Sequence, residues 1–197
     1  MGGVLFWGYT TMEERTYTRK QFLKTAMFKK AMSDVASVLD RFSVKFALVG
    51  GLAVAYHANP PVTVDIDLLL MIGRKSQEEH DIMGAFMDEG WRSHPLHFGY
   101  RHIGLPKSGH AIFRDLPQAT VDLIFAGGDP FLAGAVQDAE VHEVQSGLHV
   151  PVISTEDLII MKTLVGRDKD LADVSELYLA HPDVDETYIE ETLSRLE

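Results

Sequence analysis

Apolar side chains recur at helical spacing over residues 20–42, at Phe22, Ala26, Ala31, Val35, Val38 and Leu39, with basic residues between them. This spacing predicts a helix. Residues 45–49 form a short apolar run of strand formers, closed by Gly50-Gly51; residues 52–57 then read as a helix that Asn59-Pro60-Pro61 ends. Residues 62–72, VTVDIDLLLMI, form the clearest strand pattern in the chain. Ser76 suits the cap of a further helix, with Glu78, Glu79 and Asp81 near its positive end and Gly90 after its last turn.

Residues 91–113 hold Pro95, Gly99, Gly104, Pro106 and Gly109 between short apolar pieces, a pattern of hairpin-like strands and turns. Residues 120–126, TVDLIFA, read as another strand, residues 129–139 as a short helix and residues 150–153 as a short strand. Ser154 with Asp157 three positions on is a near capping box for a helix with Leu158, Ile159, Met161, Leu164 and Val165 on one face. Leu171, Val174, Leu177 and Tyr178 continue the helical pattern, Pro182 interrupts it, and residues 185–196 read as a last, acidic helix.

The expected class is α/β (α+β): a mixed sheet flanked by helices, with a C-terminal helical extension. The expected organisation is a tail over residues 1–18, a core over 19–153, and a helical segment over 154–197 packed on that core. Neither an internal repeat nor a low-complexity segment interrupts this order.

Two carboxylates break the pattern of the clearest strand. Asp65 and Asp67 stand two positions apart, which puts them on one face of a strand, while Ile66 points the other way. Acids sharing one face repel each other and resist burial. A divalent cation relieves both costs, and Mg²⁺ favours hard oxygen ligands of this kind. Asp122 lies in a second apolar strand, between Val121 and Leu123. Were the two strands neighbours, the three acids would converge and could hold two ions about 4 Å apart for in-line phosphoryl displacement. Taken singly, each is equally a solvated position on an open sheet.

Gly50-Gly51 stands between a strand and a helix, where free backbone N–H groups and the absence of a side chain let a phosphate approach. By itself such a pair is also a common turn, and no Walker lysine follows it. Lys162 reads either as a phosphate partner or as a lysine snorkelling at a helix edge. Arg167, Asp170 and Asp173 read either as pocket residues or as surface ion pairs. His94, His97, His102 and His110 crowd one irregular region, but their spacing matches no zinc signature, and surface histidines are expected.

The order of these features resembles the nucleotidyltransferase superfamily, in particular its AbiEii-type and minimal members. The resemblance rests on residues 46–57 (FALVGGLAVAYH), on residues 63–68 (TVDIDL), and on residues 154–162 (STEDLIIMK) with Arg167, Asp170 and Asp173. It implies an enzyme that moves a nucleoside monophosphate from an NTP to a hydroxyl on RNA, protein or a small molecule. It implies that Gly50 and Gly51 hold the triphosphate, with Thr63, Lys162 and Arg167 also nucleotide-binding, and Lys169 and Asp170 shaping the pocket. Asp65 and Asp67 would bind two Mg²⁺ ions, and Asp122 would bind one and help deprotonate the acceptor. The same resemblance admits a toxin–antitoxin component with an antitoxin partner, or a catalytically silent nucleotide-binding homologue.

Composition narrows the setting. The 197 residues carry 18 Lys and Arg against 29 Asp and Glu, a net charge of −11. Such a chain is not expected to coat nucleic acid through bulk electrostatics. There is no Cys, hence no disulfide framework and no Cys-based zinc site. The opening apolar run, residues 4–7, is too short for a signal-peptide core or a membrane span, and Phe6 stands where a myristoylation signal has Ser or Thr. A cytoplasmic protein without membrane partners is expected.

Overall fold

The computed structural model describes residues 19–58, 65–73, 76–99, 106–114 and 120–196. The tail over residues 1–18, the start of the expected strand at 62–64 with Thr63, and Tyr100, Arg101 and His102 lie outside the described residues.

The helix expected over 20–42 is two helices, α1 (Arg19–Leu23) and α2 (Ala26–Arg41). Thr25 causes the break. Its hydroxyl donates to the Phe22 carbonyl at 2.8 Å and accepts from the Phe28 N–H at 3.1 Å, which ends one helix and caps the next. Strand β1 (Phe46–Val49) runs straight into α3 (Gly50–His57), two residues earlier than the sequence suggests. Strand β2 is Ile66–Leu70. Ser76 caps α4 (Gln77–Asp88) through the Glu79 N–H at 3.0 Å, as its position implies.

Within the expected region 91–113, the described residues form two antiparallel paired strands, β3 (Arg92–Gly99) and β4 (Pro106–Phe113). Then come β5 (Val121–Phe125), α5 (Pro130–Gln137) capped by Asp129, β6 (Glu140–Gln145) and β7 (Leu148–Val152). Helices α6 (Thr155–Val165), α7 (Asp168–Ala180) and α8 (Glu186–Leu196) close the chain. Ser154 caps α6 through the Asp157 N–H, and Gly166 ends it in the left-handed conformation at φ 64°.

The seven strands form one mixed sheet in the order β3-β4-β5-β2-β1-β7-β6. The pairs β2–β5 and β1–β7 are parallel and the rest antiparallel. One core runs through the molecule, with Phe28, Leu48, Leu52, Ile66, Leu68 and Phe86 fully buried. His57 ties α3 to the C-terminal helices. Its Nε2–H donates to the Ile153 carbonyl at 2.8 Å, its Nδ1 accepts from the Thr155 hydroxyl at 3.3 Å, and its own carbonyl accepts from His181 at 2.9 Å. Tyr188 on α8 donates to the buried Asp157 on α6 at 2.8 Å. No described helix is long and apolar enough to cross a membrane.

Candidate active site

Sheet register brings the acids together. Asp67 on β2 is the direct partner of Asp122 on β5 in the parallel pair, and Ile66 likewise partners Val121. Paired residues of neighbouring strands project from the same side of a sheet, so Asp67 and Asp122 stand side by side on one face. Ile66, Leu68, Val121 and Leu123 alternate with them and are fully buried on the other. Asp65 precedes β2 and is exposed. Its charge reaches both of the others: it raises the pKa of Asp67 and of Asp122.

The glycine turn touches the same carboxylate. Val49, the last residue of β1, is the register partner of Asp67, so the following turn passes over it. Gly50 has φ 64°, and a Cβ there would sit 2.1 Å from Asp67 Oδ2. Only glycine accommodates both the left-handed backbone and that approach. The Gly51 N–H, at the positive end of α3, hydrogen-bonds the Asp67 carboxylate.

Electrostatics mark the row as starved of positive charge. Burial pushes the Asp67 carboxyl up to about 7, reinforced by Asp122 and Asp65 and opposed by Lys162 and the Gly51 hydrogen bond. Burial, with Asp65, pushes Asp122 up to about 6. Among the described residues, no group of three or more His, Cys, Asp or Glu side chains is placed to hold a metal ion, and Asp67 and Asp122 make a pair. The acids make an open row, all of oxygen donors, which leaves coordination positions to water and phosphate. That is how Mg²⁺ is commonly bound.

Lys162 does not snorkel at a helix edge. It is buried, and its ammonium donates to Asp170 at 3.0 Å and to Asp173 at 2.8 Å. Arg167 grips Asp170 from the other side, through Nε at 2.5 Å and a terminal N–H at 3.2 Å. The ion pairs read as a surface feature are therefore a buried cluster joining α6 to α7, with Asp170 and Asp173 almost fully enclosed. Burial alone would raise the Asp170 carboxyl, but hydrogen bonds from Arg167 and Lys162 outweigh it and hold the carboxyl below its usual range. The cluster lies close enough to the acid row that Lys162 lowers the Asp67 pKa and Asp67 raises that of Arg167. The Arg167 side chain is 53% exposed. Lys169 is exposed on α7.

Of the crowded histidines, His94 and His110 have described side chains, and these two lie on opposite faces of the sheet. His110 Nε2 lies 3.2 Å from Glu79 on α4, which is the sheet face opposite the acids, because His110 alternates with Ala111 along β4. His94 is exposed and is the register partner of Ala111, on the acid face. Ala111 itself partners Asp122, so one row crosses the sheet through Val49, Asp67, Asp122, Ala111 and His94. Strand order, which sequence does not state, was needed to see this row.

A mixed sheet with an acid pair on neighbouring strands and a glycine turn pressed on one of them is a nucleotidyltransferase-like architecture. An antigenic nucleotidyltransferase-like protein from Paracoccidioides brasiliensis is similar in fold, with a TM-score of 0.54 at 15% identity, over 88% of each chain. The antibiotic-resistance factor ANT(2″)-Ia aligns with a TM-score of 0.48 at 15% identity, over 84% of this chain and 89% of its own. The lincosamide antibiotic adenylyltransferase LnuA aligns with a TM-score of 0.47 at 14% identity, over 78% of this chain and 96% of its own. No curated protein matches the chain in sequence. Residues 28–197 match a family model, and the chain belongs to that family, described as nucleotidyl transferase of unknown function (DUF2204).

Proposed function

We propose that this enzyme moves a nucleoside monophosphate from an NTP to a hydroxyl acceptor, with Mg²⁺ held by Asp65, Asp67 and Asp122. The observation that carries the reading is the direct pairing of Asp67 with Asp122 beneath the Gly50-Gly51 turn. Mutual repulsion among three carboxylates, in an all-oxygen donor row, fits a hard divalent cation. Bound there, Mg²⁺ supplies charge neutralisation on the phosphates and alignment of the attacking and leaving oxygens.

The chain's own residues do the rest. The Gly50-Gly51 turn lets the triphosphate lie against backbone at the positive end of α3. Arg167, held in place by Asp170, supplies the exposed positive charge near Asp67. Lys162 acts as a fixed counter-charge behind Asp67, since its ammonium is already engaged by two carboxylates. The acceptor oxygen attacks the α-phosphorus, the bond from that phosphorus to the bridging oxygen breaks, and pyrophosphate leaves. The acceptor proton passes to Asp122, the carboxylate on the side from which the acceptor enters.

Asp67→Asn and Asp122→Asn are each expected to lower transfer of label at least a hundredfold, with the folded circular-dichroism spectrum retained. The assay follows label from NTP radiolabelled at its α-phosphate into pooled RNA and hydroxyl-bearing small molecules. Undiminished labelling by the double variant rules the proposal out.

A further inference from the structure

Resting on that reading, we infer that the open end of the acid row, on the β3–β4 pair, is the acceptor platform, and that it takes a ribonucleoside end whose base stacks on His94. In an in-line displacement the attacking oxygen enters opposite the leaving group. The glycine turn lies on the β1 side of Asp67. The pyrophosphate belongs there, so the attacking hydroxyl comes from the opposite side, across Asp122. The sheet order places β4 and then β3 on that side.

The residues those strands present to the acid face are specific. Next to Asp122 stands Ala111, a buried residue whose single methyl adds little bulk beside the carboxylate. Beyond it is His94, exposed and set against the Phe113 ring with centroids 5.0 Å apart and planes 32° from parallel. The Arg92 guanidinium lies 5.8 Å from the centroid of the same Phe113 ring. Phe113 thus backs His94 and leaves an exposed flat ring at the edge of the sheet. Two strand spacings separate it from Asp122, about 10 Å. A nucleoside matches this layout: a flat base at one end and a ribose hydroxyl at the other. Base stacking on an aromatic side chain contributes on the order of a tenfold to hundredfold gain in affinity per base.

The chain's charge limits the size of the acceptor. At a net −11 it offers little to a long phosphate backbone, so recognition rests on the terminal nucleoside and not on a duplex or an extended strand.

The test reads binding without turnover. The full chain, labelled in its histidine rings, is titrated with the dinucleoside monophosphate ApA, and the His94 signal is assigned by its loss in His94→Ala. A saturable shift of the His94 signal is expected. Affinity should fall at least tenfold in His94→Ala and stay within about threefold of wild type in His94→Phe, which keeps a flat ring. Asp67→Asn should bind ApA like wild type while losing label transfer. An unmoved His94 signal, equal affinity of wild type and His94→Ala, or equal competition by ribose phosphate lacking a base overturns the platform. So does a ring alcohol without ribose, such as phenylethanol, shifting His94 as strongly as ApA. ApA binding without any label transfer would sustain the platform and remove the transferase reading; transfer to other acceptors without ApA binding would do the reverse.

Discussion

Gly50 holds two constraints at one atom. Its φ of 64° is costly for any side chain, and an added methyl would meet Asp67 Oδ2 at 2.1 Å. Gly50→Ala is therefore expected to push Asp67 out of the row, destabilise the protein by about 1–3 kcal/mol and lower transfer at least tenfold. Urea denaturation and the labelling assay measure the two effects separately. A loss of transfer with unchanged stability would show that the turn yields without strain.

The candidate site residues were legible because they violate their surroundings. Asp65, Asp67 and Asp122 are acids in apolar strands, and Gly50-Gly51 is a flexible pair where a strand meets a helix. Lys162 was not legible, because a lysine in an apolar helix looks alike whether it snorkels outward or is met by acids from the next helix. Only the packing of α6 on α7 decides, and it closes Lys162 between Asp170 and Asp173.

That cluster is what fastens the element pair. Lys162→Met removes the cation from two enclosed carboxylates, and breaking such a buried set typically costs about 3–5 kcal/mol. The expected outcome is a loss of that size in urea, with Lys162→Arg retaining a larger share of the stability than Lys162→Met. A second tie holds α8 to α6: burial, together with the hydrogen bond to Asp157, pushes the Tyr188 hydroxyl up to about 12, so it stays a donor across the working pH range. Capped elements were the easiest to place from sequence. Ser76, Asp129 and Ser154 each begin a helix where their residue type suggests. Thr25 escaped notice because a single threonine between two compatible apolar patterns does not disturb their periodicity. Strand β6 escaped for a different reason. It is an edge strand with Glu140, Val141 and Glu143 all exposed, so no alternation of apolar and polar side chains announces it.

For the molecule as a whole, pH acts through groups of opposite sign, of which Asp67 and His57 are two. The folded pKa of Asp67 is raised from 3.8 to about 7, so the folded state holds the proton more tightly than the unfolded chain. This contribution stabilises the metal-free protein at low pH and is lost as pH rises between those values. His57 is pushed below 6.5, chiefly by burial, so its contribution is present above 6.5 and is lost as pH falls below it. Thermal melts of the metal-free protein should therefore show Asp67→Asn more stable than wild type at pH 8, by at least about 1 kcal/mol, with the gap closing towards pH 5. Mg²⁺ should close the same gap at pH 8 by raising the wild type, and its apparent affinity should weaken as pH falls through 7 and 6. A difference between the two proteins that does not vary with pH would mean that Asp67 is not the titrating group.

The order of strands has a practical consequence. Asp67 and Asp122 lie on strands in the interior of the sheet, whereas β3 and β4 form a terminal ribbon whose sheet pairing is to β5 alone, with a side-chain contact from His110 to Glu79 on α4. Exchanging that ribbon for another strand pair of equal register would alter what is presented beside the carboxylates and leave their spacing intact. Under the proposed function, the acceptor-facing rim is thus separable from the carboxylate pair by topology.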